Sequence, residues 1–341
     1  MMAKDQNNAD AHKMRLLCID GGGIKGTCPA AFLASLEDDL DRPIGQYFDL
    51  IAGTSTGGIL AIGLALGLSA NDLLALYVDK GPEIFGQAGH PNKIAAWFVD
   101  KWASTRHIVA PKHDAERLKV VLQSVLKDQK LGQASTRLVV PSWDADLQSV
   151  YVYKTAHHQR FTKDYKKTAV DAALATAAAP SFFKRHRTVD QVGLIDGGVW
   201  ANNPTGIAAV EATAVLGWPA DQLQILSLGC VDEIYTLPEN PGKLGLGWKG
   251  RVISLFMDGQ SSGAMGIAKL ITGHPHSRKA IFRYAPKAPA NLFDLDDTSK
   301  IDRLKGLGSS MARKATPELK DIFFNRPAEP FHPVHSLETT P

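Results

Sequence analysis

The chain has 341 residues, 44% apolar and 21% charged, enough to bury a sizeable core, which excludes a disordered chain. Its net charge of +3, from 38 Lys and Arg against 35 Asp and Glu, is too balanced for the uniform basic face of a DNA- or RNA-binding protein. The three cysteines, Cys18, Cys28 and Cys230, form no CxxC pair, which excludes a disulfide framework and a zinc site and suits a reducing compartment.

Residues 1–13, "MMAKDQNNADAHK", are polar without an apolar h-region, so they read as a flexible segment of a cytoplasmic protein rather than a secretory signal. From Met14, "MRLLCID" reads as a buried strand that stops at "GGGIKG", and "CPAAFLASLEDDL" as a helix with Pro29 in its first turn. The pattern repeats, with "YFDLIA" as a strand, "GTSTGG" as its turn and the apolar run from Ile59 as a helix. Two such units predict a parallel sheet. The run Ile59 to Leu68 is too short for a membrane span, which needs about 20 residues, and predicts a helix buried on all faces. Next, "SANDLLALYVDKGP" reads as a helix with Ser69 and Asp72 in capping-box spacing and a stop at Gly81-Pro82. The aromatic stretch Ala95 to Trp102, "AAWFVDKW", suits core or oligomer packing, with a membrane boundary as the alternative.

The pattern is weak from there until Arg137. Then "RLVVPSW" and "SVYVYKT" read as strands, "TAVDAALATAAAP" as a helix and "VGLID" as a short strand. After these come the helix "PTGIAAVEATAVLG" and the buried strand "QLQILSLG", so the core is expected to end at about Gly229. Pro238 to Gly273 reads as a helix with flexible flanks near a site mouth. With no repeat and no linker, 14–325 is expected to be a single domain, and the proline-rich residues 326–341 an irregular tail.

Three places carry chemistry. Gly53-Thr54-Ser55-Thr56-Gly57 is a G-x-S-x-G, the nucleophile elbow, in which a sharp strand-to-helix turn exposes the serine above the helix N-terminus. The alternative is a helix-capping turn. In "IDGGGIKG", Gly21, Gly23 and Gly26 satisfy the G-x-G-x-x-G dinucleotide pattern, but Asp20 would repel a pyrophosphate and the next strand, ending at Ala52, carries no acid. Lys25 also misses the spacing of a Walker loop. The same glycine amides could instead form an oxyanion hole. A serine nucleophile needs a base. Among the eleven histidines, the late candidates His274, His276, His332 and His335 follow no clear strand and read as surface residues. The third place, "LIDGGVWANNP", offers Asp196 at a strand end before Gly197 and Gly198, as a base or as a turn-former. Two basic clusters, Lys154 to Lys167 and Lys184 to Arg187, read as solvated faces, with phosphate binding as the alternative.

Together and in this order, "DGGGIKG", "GTSTGG" and "DGG" resemble the patatin-like phospholipase family, over roughly Met14 to Gly229 and including "AAAPSFF" and "NNP". The resemblance implies a three-layer α/β fold, a mainly parallel central sheet flanked by helices. It implies a lipid acyl hydrolase with Ser55 as nucleophile and Asp196 as base, and Gly21, Gly22, Gly23 and Thr56 as the oxyanion hole. Gly26, Gly53, Gly57, Gly197 and Gly198 would support the motifs, and no metal or cofactor is implied. "CPAAFLASLEDDL" and "GTSTGGILAIGLALGLSANDLL" further resemble bacterial patatin-like effectors of anti-phage (CBASS) operons. That narrower resemblance implies a membrane phospholipid substrate, a cyclic di- or trinucleotide activator and peripheral contact with the inner face of the membrane; a homo-oligomer is compatible with the sequence, which leaves the oligomeric state open. A glycine-loop nucleotide-binding protein and a triad carboxylesterase for soluble esters remain the alternatives.

Overall fold

The computed structural model describes residues 13–85, 113–180, 182–236, 252–289 and 292–337. Strand β1 (Met14–Ile19) alternates between two cores, Leu16 and Cys18 facing one and Leu17 and Ile19 the other. Both faces of the sheet are therefore covered, as a parallel sheet requires. After β1 come α1 (Thr27–Glu37), β2 (Leu50–Gly53), α2 (Thr56–Ala65), α3 (Ala70–Phe85) and α4 (Ala115–Leu126). The middle of the chain supplies β3 (Arg137–Asp144), β4 (Ser149–Lys154), α5 (Ala169–Thr176), β5 (His186–Arg187), β6 (Gly193–Asp196), α6 (Gly198–Ala201) and α7 (Thr205–Val210). The last third adds β7 (Leu223–Leu228), β8 (Asp232–Ile234), α8 (Val252–Thr272), β9 (Ile281–Tyr284), β10 (Lys287–Pro289) and α9 (Ile301–Phe323).

Strands β3, β2, β1, β7 and β9 are neighbours in that order and all parallel. Strands β4 and β6 both run antiparallel to β3, and β5 pairs antiparallel with β6. Register decides what this does for function. Val139 of β3 pairs with both Ala52 of β2 and Lys154 of β4, whereas Ser142 pairs with both Tyr151 of β4 and Asp196 of β6. With β4 along one edge of β3, β2 and β6 must share the other, end to end. The last residue of β6 therefore faces the turn that leaves β2.

The mixed three-layer α/β architecture anticipated from the motifs is present. Helix α2 is buried at every position between the sheet and its neighbours, and no described helix is long and apolar enough to cross a membrane. On the opposite face, Ala208 and Ala209 of α7 and Ala268 of α8 pack against Leu16, Leu50 and Ile225.

Several boundaries differ from the sequence reading. The core does not end near Gly229: β9 extends the main sheet beside β7, and α9 packs along α1. Small residues let α9 approach, since a Cβ on Gly308 would stand 2.2 Å from the Cys28 carbonyl oxygen. Helix α3 has the expected capping box, with Asp72 N–H donating to Ser69 Oγ at 3.0 Å, but continues through Pro82 to Phe85. Burial of Ile84 and the contact of Gly81 with Ile24 hold that last turn, outweighing the hydrogen bond that proline lacks. Helix α5 stops at Thr176 rather than Pro180, because Ala178 turns its carbonyl to the N–H of Asp196. Residues 326–337 form no helix or strand, yet Ala328 N–H bonds to the Gln46 carbonyl and Val334 N–H to that of Ala156. Within Pro238 to Gly273 the helical part is α8, while 237–251 lie outside the described residues, as does Ala95 to Trp102.

Candidate active site

The elbow forms as its glycines require. A Cβ on Gly57 would stand 2.3 Å from the Ile19 carbonyl oxygen, and one on Gly53 2.1 Å from the Gly57 carbonyl oxygen, so only hydrogen fits where β2 turns into α2. Ser55 occupies the turn with φ 56° and ψ −125°, a strained backbone for a residue with a side chain. Its surroundings hold it there. Ser55 N–H donates to Thr176 Oγ1 at 3.0 Å, and that hydroxyl donates to the Pro141 carbonyl at 2.6 Å. Thr54 Oγ1 donates to the Ala201 carbonyl at 2.7 Å, tying the elbow to the end of α6.

Asp196 comes to this turn from the end of β6. Ser55 Oγ donates to Asp196 Oδ2 at 2.6 Å, and Gly198 N–H donates to Asp196 Oδ1 at 2.6 Å. Both side chains are enclosed, with Ser55 9% and Asp196 4% exposed. Burial pushes the Asp196 carboxyl up to about 6, against the opposing pull of the Ser55 and Gly198 hydrogen bonds. A carboxylate so placed is a better base than an exposed aspartate and still ionised at neutral pH.

The glycine loop lies against the serine: a Cβ on Gly21 would come within 2.9 Å of Ser55 Cβ. Its three N–H groups are not equivalent. Gly21 N–H donates to the Asn202 carbonyl at 3.0 Å, so Gly21 supplies close approach rather than the oxyanion donor anticipated for it. Gly22 N–H donates to Thr56 Oγ1 at 3.2 Å. Gly23 and Thr56 each open a helical turn, where the N–H has no intrahelical acceptor. Tyr77 Oη donates to the Thr56 carbonyl at 2.8 Å and fixes that residue from behind. The loop's other end is pinned by Arg283, whose Nη1 and Nη2 lie 2.9 and 2.5 Å from the Asp20 carboxylate oxygens. Gly26, Gly53, Gly57, Gly197 and Gly198 all stand in the turns that frame this site.

Histidine takes no part among the described residues. His274 Nδ1 accepts from Ala280 N–H at 3.1 Å, and His335 Nε2 pairs with the Gln159 carbonyl at 2.9 Å. The basic clusters are partly engaged within the protein. Lys154 and His157 both pair with Glu211, Arg185 and Arg187 with Asp146, and His186 with Asp171. Arg160, Lys163 and Lys166 of the first cluster and Lys184 of the second remain exposed. The described residues hold no group of side chains that could bind a metal, and the three cysteines are buried and free.

Sequence reasoning missed Thr176, Tyr77, Asn202 and Arg283. Asn202 falls within the "NNP" segment that carried part of the resemblance, which is the one signal that pointed to any of them.

Residues 17–209 match the family described as patatin-like phospholipase. A cGAMP-activated phospholipase from Pseudomonas aeruginosa is 32% identical over 311 residues, covering 90% of this chain and 85% of that protein. A protein of the same name from Escherichia coli is 33% identical over 246 residues, covering 68% of this chain and 66% of its own length. Patatin-like protein 2 of Oryza sativa is 38% identical over 217 residues, and the match spans 50% of its length.

Proposed function

The chain belongs to the patatin-like phospholipase family and is a lipid acyl hydrolase; we propose that it cleaves fatty-acyl esters of membrane phospholipids through Ser55 and Asp196. The observation that carries this reading is the 2.6 Å hydrogen bond from Ser55 Oγ to Asp196 Oδ2. Ionised Asp196 takes the Ser55 proton as Oγ attacks the ester carbonyl carbon. The N–H groups of Gly23 and Thr56 stabilise the oxyanion of the tetrahedral intermediate, while the Gly22 N–H holds the Thr56 side chain beside them. Collapse breaks the ester C–O bond, and the proton on Asp196 goes to the departing lysophospholipid alkoxide. Water then attacks the acyl-enzyme, gives its proton to Asp196, and fatty acid leaves as Ser55 regains its hydrogen.

Lipid must reach this site from a bilayer. One side of α8 bears the exposed Phe256, Ile267 and Leu270, at spacings that return to the same helix face. The same helix contacts the site through Gln260, whose Nε2 donates to the Val199 carbonyl at 2.8 Å. This supports peripheral contact with the membrane, at its inner face for a cytoplasmic protein.

The names of the Pseudomonas and Escherichia relatives support a cyclic nucleotide as activator, and a role in anti-phage defence rests on the narrower sequence resemblance. The whole reading is tested by fatty-acid release from phospholipid vesicles, for wild type and Ser55→Ala, with and without a panel of cyclic di- and trinucleotides. Release by wild type alone, and only with a nucleotide, is the expected result. Release without nucleotide would remove the activator and keep the hydrolase; release by Ser55→Ala would remove the hydrolase mechanism.

A further inference from the structure

Arg283 lies on β9, opposite Ser227 of β7. Its side chain crosses β7 to reach the end of β1, where Asp20 opens the glycine loop. Nη1 donates to both Asp20 Oδ1 and Ser227 Oγ at 2.9 Å, and Nη2 to Asp20 Oδ2 at 2.5 Å. Ser227 Oγ is in turn within 2.8 Å of Thr205 Oγ1, at the start of α7. The Asp20 carboxylate, 4% exposed, thus has its charge matched and both oxygens occupied. A fork of two parallel N–H donors fixes a carboxylate's plane as well as its position, which a lysine ammonium does not. Asp20 is also held by its own N–H, which donates to the Leu228 carbonyl at 2.9 Å. The residue preceding the three glycines is therefore clamped at main chain and side chain, while the loop beyond it follows the site's curvature.

We propose that Arg283 is a positioning residue for hydrolysis: by gripping Asp20 it fixes the glycine loop whose N–H groups meet the developing oxyanion. The inference rests on the hydrolase reading above. Oxyanion donors act through placement set before the reaction begins, so a small displacement of the loop weakens the transition state and leaves substrate binding intact. Arg283 hydrogen-bonds neither Ser55 nor Asp196, and it reaches the glycine loop through Asp20.

The test measures kcat and KM on a short-chain 4-nitrophenyl ester, with whichever nucleotide supports wild-type turnover, together with thermal melting. Arg283→Gln is expected to lower kcat about 10- to 100-fold with KM nearly unchanged. Arg283→Lys should recover part of the loss, since it restores the charge without the fork. Asp20→Asn/Arg283→Gln removes both charges together, so it should melt close to wild type while kcat stays low. Wild-type kcat in the double variant or in Arg283→Gln would overturn the proposal and leave the pair a purely stabilising one. Ser55→Ala is run alongside: if it kept wild-type turnover, or if wild type had none, the hydrolase reading would fall first and this inference with it.

Discussion

Ser55 and Asp196 are separated by 141 positions in the chain and by a single 2.6 Å hydrogen bond in the fold. They meet because β2 and β6 share one edge of β3, so the turn leaving one strand faces the end of the other. This pairing is a consequence of strand register. Thr176 strengthens it from α5, linking the Ser55 N–H to the Pro141 carbonyl.

The pH dependence follows from the buried base. Asp196 must be ionised to accept the serine proton, and burial holds its carboxyl at about 6. The expected kcat/KM profile on a soluble ester rises as pH increases through about 6 and then levels off. A limb centred near 4 would show an unperturbed aspartate.

The same burial has a stability consequence of opposite sense. An acid whose folded pKa is raised from 3.8 to about 6 binds more protons folded than unfolded between those values. Stability therefore falls as pH rises through that window and stays lowered above it, by up to about 3 kcal/mol at 1.36 kcal/mol per pH unit. Asp196→Asn is expected to be inactive yet to melt above wild type at pH 8, with its advantage vanishing as pH drops toward 4. Differential scanning calorimetry across that range reads this directly.

Backbone strain at Ser55 distinguishes two inactive variants. With φ at 56°, alanine keeps the strain and glycine relieves it. Ser55→Gly is expected to be more stable than Ser55→Ala by about 1 kcal/mol, measured by urea unfolding.

Gly57→Ala should be far worse than either. The added methyl would meet the backbone carbonyls of Ile19 and Asp20 at 2.3 and 2.5 Å, atoms that cannot rotate away. A loss of about 3 kcal/mol or more is expected, with activity falling because the elbow must open to accommodate it.

Membrane contact is expected to depend on α8. Leu270 is 86% exposed and lies towards the C-terminal end of that helix, well beyond Gln260. Leu270→Asp should weaken sedimentation with phospholipid vesicles while leaving turnover of a soluble ester unchanged. Undiminished sedimentation would place lipid contact elsewhere.

Much of this was legible in the sequence, and the reasons are local. A strand, a glycine turn and a helix in succession give the elbow and the glycine loop, because each step depends on residues within a few positions of one another. Helix α9 escaped notice because the middle of its buried stripe, Ile301, Leu304, Gly308, Ala312, Ala315, Leu319 and Phe323, is three small residues, whose apolar signal is faint. Arg283 escaped for a different reason. It stands in a four-residue strand, "IFRY", and its partner is 263 positions away, so no periodicity announces it. Thr176 and Tyr77 act through hydrogen bonds to backbone atoms of the elbow, which only the folded register supplies. In Gly21 the glycine pattern pointed to the right loop, but the direction in which each N–H points depends on Asn202 and Thr56.

The most direct test of the dyad is the rate and position of labelling by a fluorophosphonate, located by peptide mass spectrometry. Wild type is expected to carry one adduct, on Ser55. The rate should fall about 100- to 10,000-fold in Asp196→Asn, as expected for loss of a general base, and remain unchanged when His90, His107, His274, His276, His332 or His335 is replaced by alanine. An adduct on another residue, a rate indifferent to Asp196, or a rate abolished by one of those histidine replacements would contradict a Ser55–Asp196 dyad.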